Sequence, residues 1–210
     1  RRESRRHPRR VLRNAEHAVM TLGLEAGFAD PVADAQQCFR AVLDAISHPG
    51  RITRAAGVTA PAPLSTAAAA VVLTLVDHET PLWLDPEAAI ARQWIEFHCG
   101  AQVVTDPGKC SFALAMNLPP LHRFPTGSHE SPETSATVIC QVNGFDSGTA
   151  YRLHGPGLRE PFLLNVAGLP PGFASIWQRN HRLFPCGIDL ILCADDRLVA
   201  FPRTVTIQEV

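Results

Sequence analysis

The sequence has no apolar run approaching the roughly 20 residues that a membrane-spanning helix requires. The nearest, residues 67–76, is short and opens with small side chains, so it predicts a packed helix. Apolar residues make up 46% of the 210 residues and charged residues 19%, a balance typical of a globular chain that can fill a core. We therefore expect a folded domain and no membrane segment.

Cysteine pairs and lysine are also scarce. None of the six cysteines forms a C-x-x-C pair with another. The N-terminal region lacks the apolar stretch of a secretory signal, so we expect a cytoplasmic protein whose cysteines are free thiols, most of them in the core. Lys109 is the only lysine in the chain.

Positive charge is concentrated in the first thirteen residues, which contain seven arginines. From Met20 onward the chain has 12 basic and 18 acidic residues, and this acidic excess disfavours binding to nucleic acid. We expect residues 1–19 to form a disordered Arg-rich extension and residues 20–210 to form a single domain. The extension is open to three interpretations: a nucleic-acid arm, a targeting segment, or upstream translated sequence before a start at Met20. The third is favoured because ordinary domain sequence opens at Thr21.

The C-terminal part of the chain predicts the centre of a sheet. Residues 188–193 are an apolar run broken only by Asp189, a pattern typical of a strand buried on both faces. A polar turn and a second apolar run at 198–201 predict its hairpin partner. Pro202 ends that strand, and Arg203 follows at the rim. An acid and an arginine are thereby expected at the mouth of an α/β layer.

Three helices are predicted before this hairpin. Asp30 caps the first, with Pro31 as its first residue, and Ser65 caps the second, whose alanines let another backbone approach closely. The third begins after Asp85 and ends at Gly100. The apolar residues expected to form the buried faces are Phe39, Val42, Leu43 and Ile46 in the first helix and Ile90, Trp94, Ile95 and Phe97 in the third.

Runs of apolar and β-branched residues predict strands between and after these helices. Residues 149–153 follow two glycine-containing turn signals, so we expect them to return as the hairpin partner of the strand at 135–142. The Pro/Gly/His-rich segment 117–133 is irregular, and long loops in compact domains are often functional. The other predicted strands cover 81–84, 102–105, 111–116 and 162–166.

A short helix over residues 172–181 is expected to expose Arg179, His181 and Arg182 beside the buried strand. Together with Arg203 they are the best candidates for an anion-binding site, because arginine forks match phosphate geometry. The alternative is a solvated rim of charges. No residue is identified as catalytic.

The segment His154-Gly155-Pro156-Gly157 offers a second candidate. Gly155 and Gly157 follow a strand, where glycines let main-chain amides approach an anion. A phosphate loop is disfavoured, because its lysine and hydroxyl residue are missing and Pro156 removes a donor. A tight turn is the alternative interpretation.

Two groups of chemically suggestive neighbours favour structural roles. Asp77, His78 and Glu79 are consecutive, so they cannot easily converge on one metal ion, and we expect a hydrogen-bonded turn and no metal site. His98 and Cys99 could form a base and a nucleophile, but neighbours on a helix point about 100° apart. Core positions near a helix end are the favoured interpretation.

Seven stretches of the chain are distinctive in combination. They are D-P-V-x-D-A-Q-x-x-F-R-x-x-L-x-A-x-S-x-P-G (30–50), L-T-L-V-D-H-E-T-P-L-W-L (73–84), F-H (97–98), T-G-x-x-E-x-P-E-x-S-A-T (126–137), L-x-G-P-G-L (153–158), F-P-C-G-I-D-L-I-L (184–192) and F-P-R-T (201–204). Together they resemble the PhnH family, the H subunits of the carbon–phosphorus lyase machinery of bacterial phosphonate metabolism. The resemblance covers about residues 28–207, and the first nineteen residues have no counterpart in the family.

The resemblance implies a three-layer α/β/α fold with a mixed sheet, similar to pyridoxal-phosphate-dependent transferases but without that cofactor. A Schiff base needs a lysine amine, and Lys109 lies in a turn-like stretch outside the motifs. The resemblance further implies a homodimer in isolation and a complex with the G, I and J subunits, with K and L as further candidates.

Three functional hypotheses follow. The first is an assembly subunit that supports transfer of the ribose triphosphate moiety of ATP to an alkylphosphonate, with an apolar partner face that uses the Ala-rich helix. The second is a co-catalytic subunit that binds triphosphate or phosphonate through the arginine and histidine cluster. The third is a cysteine hydrolase that uses Cys99 and His98.

Overall fold

The computed structural model describes residues 26–210, so the expectations for residues 1–19 and for a start at Met20 lie outside the described residues. Within residues 26–210 the chain folds into four α-helices, ten strands and several 3-10 turns. The helices are α1 (Pro31–Ser47), α2 (Thr66–Leu75), α3 (Arg92–Cys99) and α4 (Phe173–His181). The strands are β1 (Thr53–Arg54), β2 (Leu82–Leu84), β3 (Val103–Val104), β4 (Phe112–Ala115), β5 (Thr137–Gln141), β6 (Gly144–His154), β7 (Phe162–Ala167), β8 (Asp189–Ala194), β9 (Arg197–Phe201) and β10 (Thr206–Glu209).

In the part of the chain that the structure describes, seven strands form one mixed sheet in the order β1-β9-β8-β5-β4-β2-β3. Strands β2, β3, β4, β5 and β8 are parallel, whereas β9 runs antiparallel to both β8 and β1. The apolar strand β8 lies between β5 and β9, which confirms that it is an interior strand with a hairpin partner.

The prediction that residues 149–153 pair with the strand at 135–142 is wrong. Both hydrogen-bonding edges of β5 are occupied, by β4 on one side and β8 on the other. The following strand β6 therefore leaves the large sheet, and it pairs antiparallel with β7 and β10 in a separate sheet.

Side chains of the large sheet alternate between two apolar cores. On one face, Leu114, Ile139 and Ile191 pack with α1, α2 and α3. On the other face, Val138 and Leu190 pack with the small sheet and α4. The expected α/β fold with a mixed sheet is confirmed, but the layer on this second face consists of a β-sheet and one helix.

Helix α1 begins as predicted and buries a different face. Asp30 accepts a hydrogen bond from the Ala33 amide at 3.1 Å, and Pro31 is the first helical residue. The buried residues of α1 are Cys38, Val42 and Ala45, whereas Phe39 and Leu43 are each 47% exposed and Ile46 is 37% exposed. The contact with α2 uses a narrow stripe, so the rest of the predicted apolar face remains on the surface.

Helix α3 shows the same deviation. Trp94 and Ile95 are buried, whereas Ile90 is 76% and Phe97 is 62% exposed. Residues 86–91 form a 3-10 helix and not the first turn of an α-helix. Side chains three apart align on a 3-10 helix, so Ala88 and Ala91 share the buried side and Ile90 points elsewhere.

Helix α2 is the most deeply buried helix described. Ser65 accepts a hydrogen bond from the Ala68 amide at 3.3 Å, which confirms the predicted cap. Residues 67–72 are all fully buried against the sheet and the neighbouring helices. The expectation that the Ala-rich helix provides a partner face is therefore wrong, because its small side chains serve close packing inside the chain. Among the described residues, no helix is both long and apolar enough to cross a membrane.

Candidate functional site

The predicted acid and arginine at the mouth of the sheet meet directly. The β8–β9 hairpin returns the chain antiparallel, with Leu190 opposite Phe201, and so brings Arg203 beside Asp189. The backbone amide of Arg203 donates a hydrogen bond to Asp189 Oδ1 at 2.7 Å, and its side chain forms an ion pair with the same carboxylate. The Arg203 side chain is only 14% exposed.

All five N–H groups of the Arg203 guanidinium have an acceptor within the protein. Its Nε and Nη2 donate to the two carboxylate oxygens of Asp189, and Nη2 also donates to Ser135 Oγ. Its Nη1 donates to the carbonyl oxygens of Pro132 at 2.9 Å and Pro185 at 3.4 Å. We call these five residues the Arg203 clamp. A guanidinium that is saturated in this way has no donor left for a phosphate.

Helix α4 is fixed beside the clamp by a buried asparagine. The Asn180 side chain donates to the Ile188 carbonyl and accepts from the Ile188 amide, both at 2.8 Å, so it mimics a paired strand residue. Gly187 has a φ of +117° there, and a Cβ atom would lie 3.1 Å from the Asn180 carbonyl oxygen. This close approach explains why glycine precedes the strand.

Two more side chains of α4 bind the segment that follows β9. Trp177 Nε1 donates to the Val205 carbonyl at 2.8 Å. His181 Nδ1 lies 2.8 Å from the Arg203 carbonyl oxygen, so Nδ1 must carry the proton in this bond. The predicted site residues His181 and Arg203 are therefore connected, but through a structural hydrogen bond.

The other two predicted arginines are separate from the clamp network. Arg179 lines a cleft of about 550 Å³, and it donates no hydrogen bond to any described residue. Arg182 is exposed at the C-terminal end of α4 and does not line this cleft. We call the cavity the apolar cleft because most of its lining is aliphatic: Leu118, Pro119, Pro120, Leu121, His122, Thr126, Pro170, Ile176, Arg179, Asn180, Leu183 and Ile188.

The two glycines of the predicted ligand loop are in close contact with other backbone segments. A Cβ atom on Gly157 would lie 2.0 Å from the Ser47 carbonyl oxygen at the end of α1. One on Gly155 would lie 3.1 Å from the carbonyl oxygen of Thr204. Both residues have positive φ angles, +149° for Gly155 and +87° for Gly157. This geometry agrees with the tight-turn interpretation.

The candidates on residues 77–79 and 98–99 have structural roles. Hydrogen bonds from the Glu79 amide and the Thr80 hydroxyl lower the pKa of the Asp77 carboxyl, as expected for a closed turn. No group of three potential metal ligands occurs within residues 26–210. Burial, with a smaller effect of Asp77, raises the pKa of Cys99 to about 12. Its thiolate fraction at neutral pH is then on the order of 10⁻⁵, which disfavours a cysteine nucleophile.

With this geometry established, comparison with known proteins identifies the family. A model described as "Bacterial phosphonate metabolism protein (PhnH)" matches residues 26–208. The chain belongs to the PhnH family. This confirms the resemblance inferred from the motifs.

Two relatives of this PhnH-family chain are similar over most of their length. It is 38% identical over 187 residues to the "Alpha-D-ribose 1-methylphosphonate 5-triphosphate synthase subunit PhnH" of Rhizobium meliloti (strain 1021), covering 86% of the chain and 94% of that relative. It is 34% identical over 174 residues to the protein of Stutzerimonas stutzeri named "Putative C-P lyase subunit protein HtxG", covering 82% of the chain and 85% of that relative.

Three of the seven PhnH motifs supply the residues of the clamp, a convergence that sequence reasoning did not anticipate. Pro132 and Ser135 belong to the T-G-x-x-E motif, Pro185 and Asp189 to F-P-C-G-I-D, and Arg203 to F-P-R-T. Asp189 is an acid within an apolar strand, and this pattern indicated a positively charged partner. The carbonyl acceptors carried no signal, because any residue type can supply them.

The clamp predicts a measurable stability difference between two arginines. We expect Arg203→Ala to lower the free energy of unfolding by about 2–3 kcal/mol, because it leaves the half-buried Asp189 without its charged partner. The matched control is Arg197→Ala, since Arg197 also binds a carboxylate with two hydrogen bonds, but its partner Asp146 is 75% exposed. Urea unfolding should show a clearly smaller loss for this variant. Equal losses would contradict a structural role for the clamp.

Proposed function

We propose that this chain is the PhnH subunit of a carbon–phosphorus lyase core complex in phosphonate catabolism. In this role it supports transfer of the ribose triphosphate moiety of ATP to an alkylphosphonate, by assembly and not by its own catalysis. The observation that carries the proposal is the match along nearly the whole described chain to a family whose compared members are named as subunits.

The geometry supports an assembly role in two ways. The residue best suited to grip a phosphate, Arg203, is saturated by protein acceptors. Large apolar side chains remain on the surface of α1, of α3 and of the 3-10 helix before α3, among them Phe39, Leu43, Ile90 and Phe97. Exposed apolar patches of this kind mark surfaces that contact other proteins.

We further propose that the fold is similar to that of pyridoxal-phosphate-dependent transferases without use of the cofactor. Ligands of open α/β sheets bind beyond the carboxyl ends of the strands. Lys109 lies in the 3-10 turn that precedes β4, at the amino end of that strand. The single lysine is thus placed away from the edge where a Schiff base would be useful.

The proposed partners are a second copy of this chain and the G, I and J subunits, with K and L as further candidates. We assign the α1 surface, with Phe39, Leu43 and Ile46 exposed, to the second copy. Helix α1 also carries the exposed Arg40 and the partly exposed Asp44, so it has both signs of charge. Such a surface can be self-complementary about a two-fold axis, as an isologous dimer contact requires.

Co-expression tests the assembly role. We expect the tagged chain to co-purify with the G, I and J subunits in a fixed stoichiometry, because an assembly subunit buries surface in a stable complex. The control is the same co-expression with an unrelated tagged protein. Turnover of an alkylphosphonate by the purified chain alone, or its recovery without any of the three subunits, would contradict the proposal.

Light scattering of the purified chain tests the α1 surface separately. The wild type should have the mass of a dimer, and Leu43→Asp should shift it to a monomer by placing a charge in the apolar contact. Ile90→Asp is the matched control, since Ile90 is an exposed apolar residue on the segment before α3. A dimer that survives Leu43→Asp would place the interface elsewhere.

A second candidate function is a co-catalytic subunit that binds triphosphate or phosphonate. The observation in its favour is Arg179, an arginine without a hydrogen-bond partner among the described residues, at a cleft of about 550 Å³. Clefts of about 300–1,000 Å³ with a few polar groups are typical ligand sites.

Titration calorimetry distinguishes this candidate from pure assembly. If Arg179 binds the phosphate groups of ATP, Arg179→Ala should weaken ATP binding by about 1.5–3 kcal/mol. Arg152→Ala, which removes an exposed arginine from β6, should leave the affinity unchanged. No heat with ATP or methylphosphonate in the wild type would rule out the co-catalytic role for the isolated chain.

A further inference from the structure

The large sheet has a topological switch point between β2 and β4. These two strands are parallel neighbours, and the segments that follow them run toward opposite faces of the sheet. After β2, Ala88 and Ala91 pack into the core on the helical side. After β4, Leu121 and Phe124 pack into the core on the side of the small sheet. In open α/β sheets, diverging loops of this kind leave a crevice that binds ligands.

A cavity of about 590 Å³ lies at this position, and we call it the switch crevice. Its volume falls within the range of about 300–1,000 Å³ that is usual for small-molecule sites. It is distinct from the apolar cleft, with which it shares only the wall formed by residues 118–120. The residues that line it are Trp83, Leu84, Asp85, Pro86, Glu87, Ala89, Arg92, Val103, Val104, Thr105, Asn117, Leu118, Pro119, Pro120 and Arg123.

Two arginines give the switch crevice N–H donors that no other residue within 26–210 accepts from. The Arg123 guanidinium lies 5.8 Å above the Trp83 ring centroid and has no carboxylate partner within residues 26–210. This cation–π contact attracts the guanidinium to the ring face and uses none of its N–H donors. Arg92 pairs through Nε with Glu96 at 2.8 Å, and its terminal amino groups donate to no described residue.

Two carboxylates line the same crevice. Asp85 Oδ1 accepts the Glu87 amide at 3.0 Å, which leaves its other oxygen without a described donor. Glu87 Oε2 accepts from Asn117 Nδ2 at 3.3 Å, and this bond joins the segment after β2 to the segment after β4. The crevice therefore presents two positive and two negative side chains around one cavity.

We propose that the switch crevice binds a small zwitterion, a molecule that carries an acid group and an ammonium group a few bonds apart. The arginines match the acid, which is a phosphonate or a carboxylate, and the carboxylates match the ammonium. A purely anionic ligand would be repelled by Asp85 and Glu87, and a purely cationic one by the arginines. This site goes beyond the proposed function, because it requires no partner subunit.

Titration calorimetry with four probes tests the charge pattern on the purified chain. The probes are 2-aminoethylphosphonate, β-alanine, ethylphosphonate and ethylamine. We expect binding of at least one of the two zwitterions, and the stronger of the two identifies the acid group. Ethylphosphonate and ethylamine each lack one charge, so each should bind at least about tenfold more weakly. Equal affinity for a zwitterion and its singly charged analogue, or no binding of either zwitterion, would overturn the proposal.

Three variants assign the binding to the crevice. Arg123→Gln and Glu87→Gln should each weaken zwitterion binding at least about tenfold, because each removes one charge-assisted contact. Both residues are on the surface, so the fold should be retained. Arg152→Gln is the matched control and should bind as the wild type does. Unchanged affinity in Arg123→Gln and Glu87→Gln would overturn the assignment, whereas failure of co-purification with the partner subunits would leave it intact.

Discussion

The ion pair between Asp189 and Arg203 is the interaction on which the rest of the structure depends. It joins the start of β8 to the segment after β9, and through two carbonyl oxygens and one hydroxyl it reaches residues 132–135 and 185. A guanidinium suits this position because its five donors diverge in one plane, so a single side chain satisfies acceptors from separate segments. Four of the seven family motifs meet in this region: three supply the clamp, and the Gly155 turn of the fourth lies against Thr204 and Val205. These four motifs thus describe one hydrogen-bond network and the backbone contacts around it.

The clamp, the apolar cleft and the switch crevice all contain arginine, and they differ in how that arginine is buried and paired. At the clamp, an arginine is surrounded by acceptors and serves packing. At the apolar cleft, Arg179 stands among aliphatic side chains with no acceptor of its own among the described residues. At the switch crevice, two arginines and two carboxylates share one cavity, and no ion pair joins these arginines to these carboxylates in the described part of the chain. Residue type alone did not distinguish these environments, because all three contain arginine near a loop.

The sequence predicted the parts of the fold that depend on local chemistry. The Asp30 and Ser65 caps and the apolar strand β8 follow from rules that act within a few residues. The errors concern long-range choices. The predicted pairing of β6 with β5 required a free edge on β5. That edge is occupied by β8, which lies almost fifty residues later in the chain. Which apolar residues of α1 and α3 are buried depends on the width of the contact with α2, which periodicity does not reveal. Of the candidate site, the Asp189–Arg203 proximity was predictable, whereas the saturation of Arg203 depends on backbone carbonyls.

The pairing of β1 with β9 has a consequence for how the chain is made. Thr53 and Leu198 are opposite each other, and β8 must insert between β5 and β9 before the large sheet is continuous. Contacts between residues so far apart in the chain form late and slow the folding of a domain. During synthesis, α1, α2 and β5 therefore lack the neighbours that β8 and β9 supply until the last hairpin has left the ribosome. Over that interval the edge of β5 that later binds β8 is unpaired, and an unpaired apolar strand edge favours aggregation.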